Sequence, residues 1–251
     1  MNGKAIAIAA LGGILLAGNA GATVAYNTTL ASPNGSPPDL GTSTSGNNAS
    51  WFNGSGNPQG GFTVVTDNGI ELGLRAKQRG QLPIYWNSDN LYYVPTGLSG
   101  GAAFWNYEFS IDVRPGGVGA HTLSEYVFGL TISDGVNTQT VNPVTYWTDD
   151  SYYGNTAGNT MVAKHVGGLI ASDWVAQNSE NPKFGDYPLA GFFDPNAQGV
   201  YTFTLTAALA SAPTEILASD TMVVSTPEPA SLAVLGFACL GLIGARRRRT
   251  A

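Results

Sequence analysis

Carboxylates are the side chains of this sequence with the clearest capacity for chemistry. Glycoside hydrolysis needs two acids about 5–10 Å apart, and the glutamates available for it are Glu71, Glu108, Glu125 and Glu180. Glu108 and Asp112 lie in one alternating segment at a spacing that puts both on one face of a strand. A solvated strand face explains that pair better than catalysis does, so we expect no enzymatic activity.

The other residue types that commonly carry chemistry are sparse. The two histidines, His121 and His165, form no H-x-x-x-H pattern. A zinc site or a Ser-His-Asp triad assembled in space stays open as an alternative, although no G-x-S-x-G turn supports a serine nucleophile. The single cysteine, Cys239, lies near the C-terminus. The body of the chain therefore has no disulfide, cysteine nucleophile or cysteine-based zinc site.

Two loop segments carry oxygen ligands of the kind that Ca²⁺ prefers. They are Asp194-Pro195-Asn196 and Asp149-Asp150, and neither has the spacing of an EF-hand. Aspartate and asparagine in turns more often bond to the neighbouring backbone. We therefore predict no resident cofactor, with calcium as the alternative.

Clustered aromatic residues raise the alternative of sugar binding. Ring faces pack against the apolar faces of pyranoses, and exported all-β domains use them in this way. Adjacent residues on a strand point to opposite faces, so half of each aromatic pair belongs to the core. The rings that we predict to be exposed, as candidate sugar contacts, are Trp86, Tyr93, Trp147 and Tyr153.

Short alternating segments separated by turn residues predict the elements that position these side chains. Phe62–Thr66 and Ile70–Lys77 flank Asp67-Asn68-Gly69, which is a strong hairpin signal. Further strands are predicted at Leu91–Val94, Phe104–Val113, Tyr126–Ser133, Thr138–Val144, Met161–Val166, Val200–Ala208 and Ile216–Val224. This spacing predicts an all-β fold, an antiparallel β-sandwich, of which the jelly roll is one form.

Two segments carry more specific predictions. In Phe104–Val113 the core face is formed by Trp105, Tyr107, Phe109, Ile111 and Val113, and the alternate residues are polar. Gly168–Ala176 is predicted to make a short helical turn.

The charge of the chain excludes one class of partner. Six of its eleven Lys and Arg residues and 16 of its 17 acidic residues fall between the two termini described next, a formal charge of −10. Phosphates need cationic partners, so this balance argues against binding to nucleic acid. It also disfavours adhesion to anionic lipid.

The C-terminal segment 226–251 has three parts in order. Pro227-Glu228-Pro229 is followed by the uncharged apolar segment Ala230–Ala245 and then by Arg246, Arg247, Arg248 and Arg249. As a helix of 16 residues the apolar segment would be about 24 Å long, slightly short of a hydrocarbon core about 30 Å thick. Arginine side chains can reach up to the headgroups and reduce this mismatch. We predict a C-terminal transmembrane helix with a cytoplasmic arginine anchor.

The N-terminus predicts export independently. Residues 1–22 combine Lys4, an apolar segment and Ala20-Gly21-Ala22, which fits a signal peptide helix cleaved after Ala22. We predict a flexible arm rich in Ser, Pro, Gly and Asn over 23–61, the β-sandwich domain over 62–225 and the sorting tail over 226–251.

The tail closely resembles the PEP-CTERM sorting signal of Gram-negative bacteria, since all three parts are present in order. The resemblance implies recognition by an exosortase after export by the secretion machinery, transient residence in the inner membrane, and delivery to the envelope or the extracellular polysaccharide matrix. The body, with WNYEFSIDV at Trp105–Val113, QNSENP at Gln177–Pro182 and GVYTFTLT at Gly199–Thr206, is similar to uncharacterised PEP-CTERM β-sandwich proteins. This similarity implies no activity. We expect a structural or interaction role, with carbohydrate binding as the alternative function and a glycoside-active enzyme as the third.

Overall fold

The structure, a computed structural model, describes residues 22–28, 30, 61–79, 89–117, 119–148, 151–156, 162–183 and 191–226. Strands make up most of these residues. Helix in this part of the chain is short and comprises α1 (Pro143–Tyr146), the 3-10 turns Pro115–Gly117 and Leu123–Glu125, and a single 3-10 residue at Gly191. The predicted all-β class is confirmed here, and the two predicted terminal helices lie outside the described residues.

Two sheets pack against each other. The larger sheet has seven strands in the spatial order β1 (Thr23–Thr28), β2 (Phe62–Asp67), β3 (Ile70–Gln78), β7 (Trp105–Asp112), β12 (Val175–Glu180), β10 (Tyr152–Thr156) and β11 (Val162–Val166). The smaller has five, in the order β4 (Leu91–Tyr93), β14 (Ile216–Thr226), β13 (Gly199–Leu209), β8 (Tyr126–Ser133) and β9 (Thr138–Val141). β5 (Leu98–Ser99) and β6 (Ala102–Ala103) form a hairpin that belongs to neither of the two sheets. Of these described pairings, β4 with β14 alone is parallel.

The core between the sheets is rich in aromatic rings. The predicted core face of β7 is confirmed, because all five of its side chains are buried. The ring centroids of Trp105 and Phe193 are 5.7 Å apart, and those of Tyr107 and Phe203 are 4.9 Å apart. Aromatic burial of this kind supplies large apolar areas, which are the main favourable term in folding.

The predicted β2–β3 hairpin is confirmed, with Asn68 and Gly69 as its two-residue loop. Their φ angles are 50° and 74°, both left-handed, as a type I′ turn requires. The side-chain amide of Asn68 donates to the carbonyl of Leu217 at 2.8 Å. This bond fixes the hairpin to the first residues of β14, on the opposite sheet.

Several elements differ from the sequence predictions. Thr23–Thr28 belongs to the predicted flexible arm, yet it forms edge strand β1 by pairing with β2. The β5–β6 hairpin, β10 and β12 were not predicted. The segment 168–176 forms a turn at Ala171–Ser172 and then enters β12 at Val175. Tertiary pairing overrides the weak local preference of these short segments.

The direction of β14 distinguishes the two ends of the sandwich. The distal end contains the β2–β3 turn and the β13–β14 turn at 210–215, where β14 begins. The tail end contains Thr226, the β8–β9 turn at 134–137 and the β5–β6 hairpin. Eleven residues of β14 separate the two ends by about 33 Å. Thr23 pairs with Thr66 next to the β2–β3 turn, so it lies at the distal end.

Candidate functional site

The outer face of the seven-stranded sheet is polar and buried. It carries the side chains of β7 that alternate with the core residues, and the prediction that Glu108 and Asp112 lie on a solvated face is wrong. Glu108 is 0% exposed and Asp112 2%. Both strands that flank β7 carry polar side chains on the same face, and these pack against the two acids.

Glu108 lies at the centre of a charge cluster on this face. Cross-strand register places Arg75 of β3 on one side of it and Ser179 of β12 on the other. Arg75 Nε pairs with Glu108 Oε2, and Lys77 Nζ lies 3.0 Å from Oε1. The Ser179 hydroxyl donates to Oε1 at 2.7 Å. Both oxygens of the carboxylate are therefore engaged within the protein.

The ionisation of the cluster follows from these contacts. Burial alone would raise the pKa of Glu108, but the charges of Arg75 and Lys77 and the hydrogen bond from Ser179 outweigh it. The pKa of Glu108 therefore lies below its usual value. Burial, assisted by the charge of Arg75, lowers the pKa of Lys77. The cluster is an ion-paired structural group, and the sequence signal for it was the alternation of Arg75 and Lys77 with apolar residues in β3.

Residues next to β1 contribute to covering this face. The ring of Phe62 lies 4.1 Å from the guanidinium carbon of Arg75, in cation–π geometry. Leu30 lies over Gly73, where an added Cβ would come within 2.5 Å of Leu30 Cδ2. Glycine at this position lets Leu30 pack directly on the backbone of β3.

A pair of carboxyl groups lies at the distal end of the same face. Glu71 and Asp112 are direct cross-strand partners on β3 and β7, and both are buried. Burial, followed by the charge of Glu71, raises the pKa of Asp112 well above its usual value. Four residues of strand, about 13 Å, separate Asp112 from Glu108, which exceeds the separation that glycoside hydrolysis uses.

Two polar side chains lie in the interior between the sheets. Asp220 of β14 points into the core, and burial raises its pKa well above the usual value. Tyr92 of β4 reaches across to the other sheet, where its hydroxyl donates to the carbonyls of Gly61 or Leu74 at 2.9 and 3.1 Å. It also accepts from the amide of Thr63 at 2.9 Å. This tyrosine joins the two sheets by hydrogen bonds.

The histidines offer no assembled site among the described side chains. His121 is exposed, and its Nδ1 lies 2.8 Å from Glu125 Oε2. Glu125 also accepts from the amide of Thr122 and so caps a 3-10 turn. His165 lies in β11, and its side chain is outside the described part of the structure. Within that part, no three His, Cys, Asp or Glu residues cluster as metal ligands would.

The four predicted sugar-contact rings fall in different places. Tyr93 is 43% exposed on edge strand β4, as predicted. The prediction is wrong for Trp147 and Tyr153, which are 4% and 0% exposed. The ring of Trp147 packs 5.9 Å from that of Phe109, and the hydroxyl of Tyr153 donates to the carbonyl of Val144 at 2.6 Å. Trp86 lies outside the described residues.

The exposed rings of the described aromatic pairs lie in separate places. Tyr146 is exposed where Trp147 is buried, so this pair has one core ring as predicted, but the buried member is the other one. In the next pair Tyr153 is buried and Tyr152 is half-buried. Tyr146 lies in α1, which packs near β8, whereas Tyr93 lies on the opposite edge of that sheet. These two exposed rings do not form a continuous platform.

The candidate calcium ligands have structural roles where they are described. Asp194 Oδ1 accepts from the amide of Asn196 at 2.9 Å, which is a side-chain turn bond. Asp149 and Asp150 lie outside the described residues.

A surface pocket of about 320 Å³ lies beside the β5–β6 hairpin. It is lined by Gln78, Arg79, Ser99, Ala103 and Phe104. The guanidinium and amide can donate hydrogen bonds beside one aromatic ring, a combination that suits a small polar ligand. Neither the charge spacing nor the strand pattern of the sequence indicated this pocket.

Thr226, the last described residue before the predicted sorting motif, is 2% exposed and is held on one side by β13. Its Oγ1 accepts from the amide of Gly199 at 2.7 Å. On the other side, the amide of Val94 donates to the carbonyl of Ser225 at 3.0 Å. Pro227, Glu228, Pro229, Arg246–Arg249 and Ala20 lie outside the described residues, and Ala22 is exposed just before β1.

No helix in the described part of the chain has the length and apolar character to cross a bilayer. Comparison with known proteins finds no matching family model, no matching curated protein and no matching solved structure.

Proposed function

We propose that the protein is an exported, exosortase-processed component of the cell envelope or extracellular matrix, with a structural or interaction role and no enzymatic activity. The observation that carries this proposal is the three-part segment Thr226–Ala251, with its Pro-Glu-Pro motif, apolar segment and arginine cluster. In this proposal an inner-membrane exosortase recognises the motif and removes the tail.

The boundaries of the folded domain support the proposal. Strand β14 ends at Thr226, and the motif begins at the next residue. Strand β1 begins at Thr23, directly after the expected signal-peptide cleavage at Ala22. Both processing events would therefore leave the strands intact and release an acidic body without a thiol.

The buried acids support a non-enzymatic role. Both oxygens of Glu108 are engaged by Arg75, Lys77 and Ser179, and Asp112 is buried beside Glu71. A polysaccharide chain has no direct route to carboxylates in these positions.

The intact mass of the protein recovered from the culture medium tests the proposal. The expected mass corresponds to a chain that begins at Thr23 and ends near Pro229. Glu228→Ala, or replacement of Arg246–Arg249, is expected to leave the unprocessed chain in the membrane fraction. An unchanged mass and location in these variants would contradict the sorting role.

Carbohydrate binding is the second candidate, and the pocket at Gln78 and Arg79 favours it because its donors suit sugar hydroxyls. Binding of the cell's own exopolysaccharide is expected to weaken in Arg79→Ala and Tyr93→Ala. The control is Tyr146→Ala, which removes an exposed ring on the other edge of the smaller sheet. Failure of the wild type to bind any matrix sugar would end this candidate. The third candidate, a glycoside-active enzyme, requires polysaccharide cleavage by the wild type that is lost in Glu108→Gln.

A further inference from the structure

We infer that the tail end of the sandwich is a lipid-contacting surface while the tail is in the membrane. The inference rests on the proposed anchoring by residues 230–245 and adds to it an orientation of the folded body. The surface is formed by the loops around Thr226, which are the β5–β6 hairpin, the β8–β9 turn at 134–137 and the start of β13.

The first argument is that Thr226 is fixed to the body. It is buried, its backbone pairs with Gly199 of β13, and Val94 bonds to the preceding residue from the other side. The chain therefore leaves the domain from a rigid strand end, and no linker separates that end from the motif.

The second argument is the reach of the motif. Three residues, Pro227–Pro229, separate Thr226 from the apolar segment, so the backbone can span at most about 14 Å between Thr226 and Ala230. The headgroup layer on one side of a bilayer is about 5–8 Å thick. Thr226 therefore lies within about 10 Å of the outer boundary of the headgroups once Ala230 is at the edge of the hydrocarbon.

The third argument is that other loops reach the level of Thr226. Ser133 pairs with Thr202, which pairs with Val223, so the tip of the β8–β9 turn extends to about the last residue of β14. Tyr93 pairs with Ser225. The amide of Gly97, at the base of the β5–β6 hairpin, bonds to Pro195, and the Thr226 hydroxyl bonds to the nearby Ala197.

The side chains at this end suit the interface. Tyr93, Leu98, Val136 and Val200 are exposed there. The carboxylate of Asp134 accepts from the amides of Val136 and Asn137, and that of Asp194 accepts from Asn196, so both acids are held in their own turns. Exposed apolar side chains such as Ile170 and Ile216 also occur towards the distal end, so the assignment depends on where the tail leaves rather than on composition.

The charge of the body indicates what kind of contact this is. A body at −10 has little attraction for anionic lipid. The tether holds the surface against the headgroups, and the contact ends when the tail is removed. The interaction is therefore with the lipid interface in general rather than with a specific lipid.

A fluorescence-quenching experiment tests the orientation. The precursor without its predicted signal peptide, residues 23–251 carrying Cys239→Ser, is reconstituted in phosphatidylcholine vesicles that contain headgroup-spin-labelled lipid. A fluorophore is attached at Val136→Cys on the tail end or, as the matched control, at Thr214→Cys on the distal end. The expected result is loss of fluorescence at position 136 and unchanged fluorescence at position 214.

A second variant separates this inference from the anchoring on which it rests. Twelve Gly and Ser residues inserted after Thr226 add a root-mean-square reach of about 20 Å and are expected to abolish quenching at 136 while the chain still sediments with the vesicles. Equal quenching at 136 and 214, or none at either, in a chain that sediments would overturn the contact surface and leave the anchoring intact. A chain that does not sediment with vesicles would overturn both.

Discussion

At the residue scale, Glu108 is a fully buried acid on which contacts from both neighbouring strands converge. Its carboxylate joins β3, β7 and β12 through Arg75, Lys77 and Ser179. A buried ion cluster contributes less than its Coulomb energy suggests, because desolvation opposes it. Removal of one charge, however, leaves the others buried without compensation.

Glu108→Gln is therefore expected to lower the free energy of unfolding of the body by about 3–5 kcal/mol. Urea denaturation followed by tryptophan fluorescence measures this change. Glu215→Gln, at an exposed turn, is the control and is expected to stay within about 0.5 kcal/mol of the wild type. A loss below about 1 kcal/mol for Glu108→Gln would show that the cluster is not a structural centre.

Asp220 predicts a specific dependence of stability on pH. Burial raises its pKa, so above about pH 4, the usual pKa of aspartate, the folded state holds a proton that the unfolded chain has released. The free energy of unfolding therefore falls as the pH rises towards the raised pKa. Asparagine keeps the shape of the side chain and has no proton to lose.

Asp220→Asn is expected to have a Tm close to that of the wild type at pH 4 and a higher Tm at pH 8. Thermal unfolding over this pH range checks the difference, and Asp194→Asn at an exposed turn provides the control. Parallel Tm profiles for Asp220→Asn and the wild type would mean that Asp220 is ionised in the folded state.

At the element scale, the segment formed by β1 and Leu30 packs on the folded body and contributes to its stability. Val24 and Tyr26 on β1 are exposed, but Leu30 is buried and packs over Gly73 on the outer face of β3. Leu30→Ala is expected to cost about 2–5 kcal/mol of stability, because it leaves a cavity over the buried polar face. Val24→Ala, a few residues away, is expected to change little. Equal effects of the two substitutions, measured by chemical denaturation, would contradict the role of Leu30.

The end of β14 predicts a kinetic effect on processing. An enzyme that cleaves near the motif needs an extended substrate, and residues up to Thr226 are held on both sides by β13 and the β4 segment. Local opening of this strand end is therefore expected to limit the reaction. Loss of one hydrogen bond costs about 1 kcal/mol, which is about a fivefold change in the open population.

Thr226→Val removes the oxygen that accepts from Gly199 and is expected to speed conversion of precursor to product by about fivefold. Pulse-chase labelling measures the rate. Thr221→Val is matched to it, since Thr221 lies on the same strand and its hydroxyl bonds to Thr204. A faster rate in both variants, or in neither, would show that opening of the end of β14 does not limit processing.

At the scale of the whole molecule, the features that could be predicted from the sequence are those that local chemistry determines. Asn68-Gly69 specified a hairpin because both positions require left-handed φ angles. Alternation identified the core face of β7 because one set of its side chains is uniformly apolar. The other face was misjudged because its burial depends on distant segments such as Leu30, which no periodicity in β7 reveals. The wrong prediction that Trp147 rather than Tyr146 is exposed has the same cause, since the position of α1 depends on tertiary packing.

The parallel pairing of β4 with β14 would have a consequence for the timing of folding if the chain is exported as proposed. β14 is the last strand in the described part of the chain, yet it lies inside the smaller sheet, between β13 and β4. In a chain that crosses the membrane from its N-terminus, β4 waits without its partner until residue 226 has emerged. In the proposed sorting route, that moment would come as the apolar segment arrests translocation. The same segment that anchors the precursor would thus time the completion of its fold, and the motif would be displayed beside a body that has just closed.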